Sequence, residues 1–190
     1  MLNIIGGNKK RTKLNVPDSY VRPTSSKKRE AIFAILESKG LKNDNNIYAN
    51  KYFLDLFAGT GALGLEAISR GAKFCYFYEI SNDVLKVLIN NCNKVCENDN
   101  FAIIQQDITK SLFQEINHPP SVIFIDPPYS LISFNSILSH LLKSKLIIDQ
   151  TSIVIESSSK TKIDHPSSLK IFDIKIYGKT KISFLEINSD

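Results

Sequence analysis

Ten residues, Asp55-Leu56-Phe57-Ala58-Gly59-Thr60-Gly61-Ala62-Leu63-Gly64, carry the densest chemical signal in the chain. Glycines 59, 61 and 64 fit the spacing G-x-G-x-x-G, after an apolar run and before a helical one. Such glycines let backbone come close to a ligand, and an acid ending the next strand, here Glu79, accepts from ribose hydroxyls. Asp55 precedes the turn closely enough to lie under it, where a carboxylate would repel the charges of a pyrophosphate. That position suits a ligand with a cationic ammonium group, a ribose and no phosphate. S-adenosylmethionine has this make-up, although the glycines alone leave a dinucleotide open.

The second signal is Asp126-Pro127-Pro128-Tyr129, directly after an apolar run. Two prolines fix φ and remove two backbone donors, so the loop displays carbonyl oxygens and a carboxylate. That array matches the exocyclic amine of a planar base, which donates two hydrogen bonds and can stack on Tyr129. Asp126 would orient the amine so that its lone pair faces a methyl donor. Asp107, in Gln105-Gln106-Asp107-Ile108, can accept from an adenine amino group with Ile108 against the ring; the bland reading is a helix cap. His118, His140 and His165 form no spaced pair and are read as non-catalytic. Cys75, Cys92 and Cys96 are an odd set with no histidine near them, so free thiols are expected and no metal.

The elements that must position these residues alternate. Apolar runs at 52–57, 73–78, 101–105, 122–125 and 152–155 read as strands, separated by helical stretches at 62–70, 81–96 and 134–146. Two β-rich runs, 169–177 and 181–187, flank Gly178-Lys179 and pair as a closing hairpin. Short apolar runs with helical crossovers predict a parallel sheet covered on both faces. The expected fold is therefore α/β and Rossmann-like: a mostly parallel seven-stranded sheet with an antiparallel C-terminal hairpin. Ahead of it, residues 2–5 and 13–16 read as a small hairpin around Gly6-Gly7. A helix from about Lys27 to Ser38 follows, capped by Ser25 or Ser26 and stopped by Gly40. The Asn-rich stretch 41–50 marks a boundary between an N-terminal extension, 1–50, and a catalytic domain, 51–190.

The chain has 190 residues, 43% of them apolar and 23% charged, with a formal net charge of +5. That balance excludes a disordered chain, and no run is long and apolar enough for a membrane span. No apolar run of signal-peptide length precedes the N-terminal basic cluster, so the cytoplasm is the expected location. The charge is unevenly spread. Residues 1–30 hold eight basic and two acidic side chains, while the remainder holds sixteen and seventeen. A basic arm on a neutral body predicts a polyanionic partner, nucleic acid first; a solvated terminus is the alternative.

These motifs together resemble the class I amino-methyltransferases. The N-terminal third narrows the resemblance through Ile4-Ile5-Gly6-Gly7, Lys13-Leu14, Arg22-Pro23-Thr24 and Arg29-Glu30-Ala31-Ile32-Phe33. With Gly61-Ala62-Leu63-Gly64-Leu65-Glu66-Ala67 and Ser69-Arg70-Gly71-Ala72, the whole chain is similar to the bacterial 16S ribosomal RNA guanine-N2 methyltransferases. The resemblance implies the class I methyltransferase fold, S-adenosylmethionine as cofactor, and 16S RNA or the small ribosomal subunit or its precursor as partner. It implies cofactor contacts from Asp55, Phe57, Gly59, Thr60, Gly61, Glu79, Asp107 and Ile108, and catalytic roles for Asp126, Pro127, Pro128 and Tyr129. RNA contacts are expected from Lys9, Lys10, Arg11, Lys13, Arg22, Thr24 and Arg29, with Arg22 and Thr24 equally able to line the cofactor pocket. A monomer is expected. The chain departs from the family in its longer Asn-rich loop at 43–50 and in lysines where the arm would carry arginines. An adenine-N6 DNA methyltransferase shares both motifs but usually needs an added recognition segment; an inactive RNA-binding module would not need the acids.

Overall fold

The computed structural model describes residues 2–17, 25–97, 99–108, 116–128 and 133–189. After an N-terminal hairpin come α1 (Ser26–Lys42), β1 (Tyr52–Asp55), α2 (Ala62–Ser69), β2 (Phe74–Tyr78) and α3 (Asn82–Val95). Then follow β3 (Phe101–Ile104), β4 (Val122–Ile125), α4 (Phe134–Lys143), β5 (Ser152–Ser158), β6 (Leu169–Tyr177) and β7 (Thr180–Ile187). The strands form one sheet in the order β3-β2-β1-β4-β5-β7-β6. β1 to β5 pair in parallel, and β7 inserts antiparallel between β5 and β6. The sheet is thus the expected one, with the closing hairpin joined through its second strand. No helix among the described residues is long and apolar enough to cross a membrane.

Alternation along each strand sends side chains to two cores. One holds Phe53, Phe77, Phe124 and Val154 under α1, α2 and α3; the other holds Leu54, Tyr78, Ile123 and Ile155 under α4. Leu2, Ile4, Leu14, Ile32 and Phe33 belong to the first core, so the basic N-terminal segment is docked rather than loosely solvated. Its hairpin is narrower than two strands, with one bridge between Asn3 and Lys13. Its turn seats on the end of α2, where Asn8 N donates to Ser69 O (2.8 Å) and Ser69 Oγ donates to Gly6 O (2.6 Å). Gly7 has φ +74, and a Cβ there would stand 1.8 Å from Ser69 O. Only glycine fits. Lys10, Arg11 and Lys13 remain exposed on this hairpin, while Lys9 is half-buried.

Helix α1 departs from expectation in two places, at its C-terminal end and at Arg29. It runs through Gly40 to Lys42, and a Cβ on residue 40 would collide with Ile47 and the Asn45 carbonyl, so glycine is required there inside the helix. More consequentially, Arg29 is fully buried, sharing a face with Ile32, Phe33 and Leu36. The reading of Arg29 as an RNA contact is therefore corrected: its guanidinium faces inward, donating from Nη2 to Asn3 O (2.9 Å) beside Glu66 (3.5 Å). Glu66 is itself fully buried and accepts from Arg70 Nε (2.9 Å) and Ile5 N (2.9 Å). Arg70 continues to Glu37 (2.8 Å), which also accepts from the Tyr48 hydroxyl (2.5 Å). One charged chain thus ties the hairpin, α1, α2 and the 43–50 loop together.

Candidate active site

Strand order reverses between β1 and β4, and the carboxyl ends of parallel strands flanking such a switch point form a ligand crevice. Asp55 ends β1, Glu79 follows β2, Asp107 lies beyond β3 and Asp126 follows β4. All of them gather on that edge. Asp55 is buried and its Oδ2 accepts from Gly64 N (3.1 Å). Burial pushes its carboxyl up to about 7, against the Gly64 hydrogen bond and with help from the charges of Asp126 and Glu79. Three carboxylates therefore act on one another here, and the buried one carries a negative charge poorly in the absence of a cation.

The glycine turn is built to meet something. Gly59 and Gly61 have φ +54 and +78, so the chain turns sharply before α2. A Cβ on Gly64 would sit 2.3 Å from Phe77 Cε1 and 2.6 Å from Cys75 Sγ, so the third glycine lets α2 lie against β2. Glu79 pins the turn, with Oε2 accepting from Gly59 N (3.0 Å) and Oε1 from Ile80 N (2.8 Å) and Ser81 N (2.9 Å). A carboxylate has about four acceptor sites, so roughly one remains beyond these three backbone donors, fewer than full recognition of a ribose's hydroxyls would use. Thr60 is buried, and its carbonyl accepts from Asn91 Nδ2 (2.9 Å), which also donates to Asn15 O (3.0 Å). Asn91 thereby couples the glycine turn to the N-terminal segment. Sequence reading missed it, because one Asn on an amphipathic helix looks like a solvated residue.

Phe57 and Asp107 are half-buried and Ile108 is buried in the α4-side core. Asp126 is half-buried, Pro127 buried and Pro128 exposed. Tyr129, Arg22 and Thr24 lie outside the described residues. The described segments on either side of 18–24 both reach this edge: Asn15 through Asn91, and Lys28 through its ion pair with Glu156. Glu156 is a further acid that the sequence reading passed over. It stands after Ile155 as Asp126 stands after Ile125, and β4 and β5 hold Ile125 opposite Ile155. The available signal was an acid directly after an apolar run.

A reversing sheet with a glycine turn after its first strand and acids along one edge is the Rossmann-like fold in its methyltransferase form. The family model described as "Conserved hypothetical protein 95" matches residues 2–186, and the chain belongs to that family. The chain is 35% identical over 176 residues to Ribosomal RNA small subunit methyltransferase D of Buchnera aphidicola, covering 91% of this chain and 86% of the relative. It is 32% identical over 180 residues to the protein of the same name in Escherichia coli strain K12, covering 94% and 86%. The solved structure of yhhF from Escherichia coli superposes with a TM-score of 0.83 at 26% identity, over 100% of this chain and 99% of that one.

Proposed function

We propose that this methyltransferase uses S-adenosylmethionine to methylate the exocyclic N2 amine of a guanine in 16S ribosomal RNA. The observation that carries the reading is the convergence of Asp55, Glu79 and Asp126 at adjacent strand ends, with the Asp55 carboxyl pushed up to about 7. The names of the relatives, ribosomal RNA small subunit methyltransferases, support the substrate class. The donor set fits the cofactor, because acids without an anion-binding lysine in the turn suit a cationic, ribose-bearing ligand and disfavour a pyrophosphate.

Asp55 and the Gly59–Gly61 turn would hold the amino-acid end, Glu79 a ribose hydroxyl, and Asp107 with Ile108 the adenine. Bound there, S-adenosylmethionine supplies an electrophilic methyl group on a sulfonium. Asp126 and the Pro127 carbonyl accept from the two N–H groups of the target amine and turn its lone pair toward that methyl. Tyr129 stacks on the extruded base. Forming the N–C bond would break the S–CH3 bond and leave a neutral thioether, and the cationic amine would release a proton toward Asp126 or water. Alignment is the main contribution, with little need for a strong base.

Labelled methyl transfer into RNA from cells lacking the enzyme, followed by nucleoside analysis, tests the reading. N2-methylguanosine is expected; N6-methyladenosine or no product would overturn it. Cofactor affinity should also depend on pH through Asp55. A cation favours the ionised carboxylate, so affinity is expected to rise as pH increases through about 7, and each unit below it costs up to about tenfold. Calorimetry at about pH 6 and about pH 8 reads this directly, and a flat profile would exclude Asp55 as the charge partner. For RNA, neutralising Lys9, Lys10, Arg11 and Lys13 is expected to leave cofactor affinity intact. Each lost phosphate contact should flatten the dependence of log K on log salt by about 0.7–0.9. An unchanged slope would leave the hairpin as a structural dock alone.

A further inference from the structure

We propose that Glu156 reads the Watson–Crick edge of the target base, accepting the guanine N1–H beside the reacting amine. This rests on the guanine-N2 reading above and names what selects guanine within it. Ile125 and Ile155 are register partners, so Asp126 and Glu156 are the next residues on neighbouring parallel strands. Two residues earlier, Phe124 and Val154 share one core, which places both acids on the face that Asp55 occupies.

Glu156 is 6% exposed, and its two oxygens are treated differently. Oε1 pairs with Lys28 Nζ, whereas Oε2 is buried with no hydrogen-bond partner among the described residues. A buried acceptor left unpaired is uncommon, and this one borders a space that a donor group can enter. The residue lines a cavity of about 60 Å³ together with Pro127, Pro128, Phe134, Ser158 and Thr161. That is room for about two water molecules, the size of a base's edge rather than of a whole base. The prolines of the amine-holding loop and the unpaired carboxylate therefore border the same small space.

The chemistry of that edge explains the pairing. Guanine presents N1–H and the N2 amine side by side, three donors against two neighbouring acidic groups. Adenine and cytosine carry a ring-nitrogen acceptor next to their amine, which would meet the Glu156 carboxylate lone pair to lone pair. A role limited to anchoring α1 through Lys28 uses Oε1 and leaves Oε2 and the cavity without a purpose.

Two RNA substrates differing only at the target, guanosine or 2-aminopurine riboside, test this. The analogue keeps the 2-amine and lacks N1–H. Wild-type enzyme is expected to prefer guanosine at least about a hundredfold in kcat/KM, since a site built around a hydrogen bond rejects the analogue lacking it. In Glu156→Gln the amide can donate to N1 of 2-aminopurine, and the preference should narrow by about tenfold or more while calorimetric cofactor affinity holds. Lys28→Met should retain the wild-type preference. Loss of rate in equal proportion on both substrates in Glu156→Gln would overturn the proposal. So would a wild-type preference near unity, which needs no variant to fold, or a Lys28→Met enzyme that behaves like Glu156→Gln. Absence of N2-methylguanosine from the wild-type guanosine reaction would instead overturn the reaction reading, and this proposal with it.

Discussion

Asp126→Ala is expected to lower turnover by at least about a hundredfold, because methyl transfer here depends on alignment and a misplacement of about 1 Å costs that much. Cofactor affinity at neutral pH should change little, since the role proposed for Asp126 is toward the acceptor amine and not the cofactor. A finer consequence distinguishes this mutant from simple damage. The Asp126 charge helps hold the Asp55 carboxyl up near 7, so its removal should move the midpoint of the pH dependence of cofactor binding downward. Asp126→Asn keeps the acceptor oxygen and removes the charge; it should show the same pH displacement with a smaller loss of turnover. Steady-state kinetics and calorimetry on the three proteins decide the matter. If turnover survives in Asp126→Ala, the amine is held elsewhere.

The second large effect is on stability. Glu66→Ala leaves Arg29 fully buried without its counter-charge, removes the acceptor of Ile5 N, and frees Arg70 Nε. Breaking a buried ion pair from one side costs about 3–5 kcal/mol, and for a chain of this length that lowers Tm by roughly 6–20 °C. Replacing both members, Arg29→Met with Glu66→Leu, should destabilise less than Glu66→Ala alone, because no isolated charge remains inside. Urea unfolding of the single and double variants measures the difference. A loss below about 1 kcal/mol in Glu66→Ala would mean that apolar packing alone holds the hairpin and α1 to the sheet. Because the same junction carries Lys10, Arg11 and Lys13, loosening it should also weaken RNA binding before it touches the cofactor crevice.

Much of the crevice was legible in the chain because it is local. Short apolar runs ending in an acid, at Leu54-Asp55, Tyr78-Glu79 and Ile125-Asp126, state both where a strand stops and what stands at its mouth. Parallel strands with helical crossovers then oblige those mouths to share an edge. The apolar face of α1 was legible only in part, at Ile32 and Leu36, and proximity to Lys27 and Lys28 made Arg29 look like part of the RNA-binding arm. A cation's side of a helix follows from whether a buried acid waits opposite, and Glu66 lies on a different helix.

The sequence by itself determined the alternating α/β order, the glycine turn, the strand-ending acids and the concentration of positive charge in the first thirty residues. These depend on spacing along the chain and on the intrinsic conformational limits of glycine and proline. Only the tertiary structure decided that β7 lies between β5 and β6, that α1 continues past Gly40, that the basic hairpin is docked on Ser69, and that Glu156 stands beside Asp126 with one oxygen unpaired. Apart from the local packing of Asn45 and Ile47 on Gly40, these are contacts between residues distant in sequence. Such contacts are selected by the packing and pairing of whole elements, which no local pattern encodes.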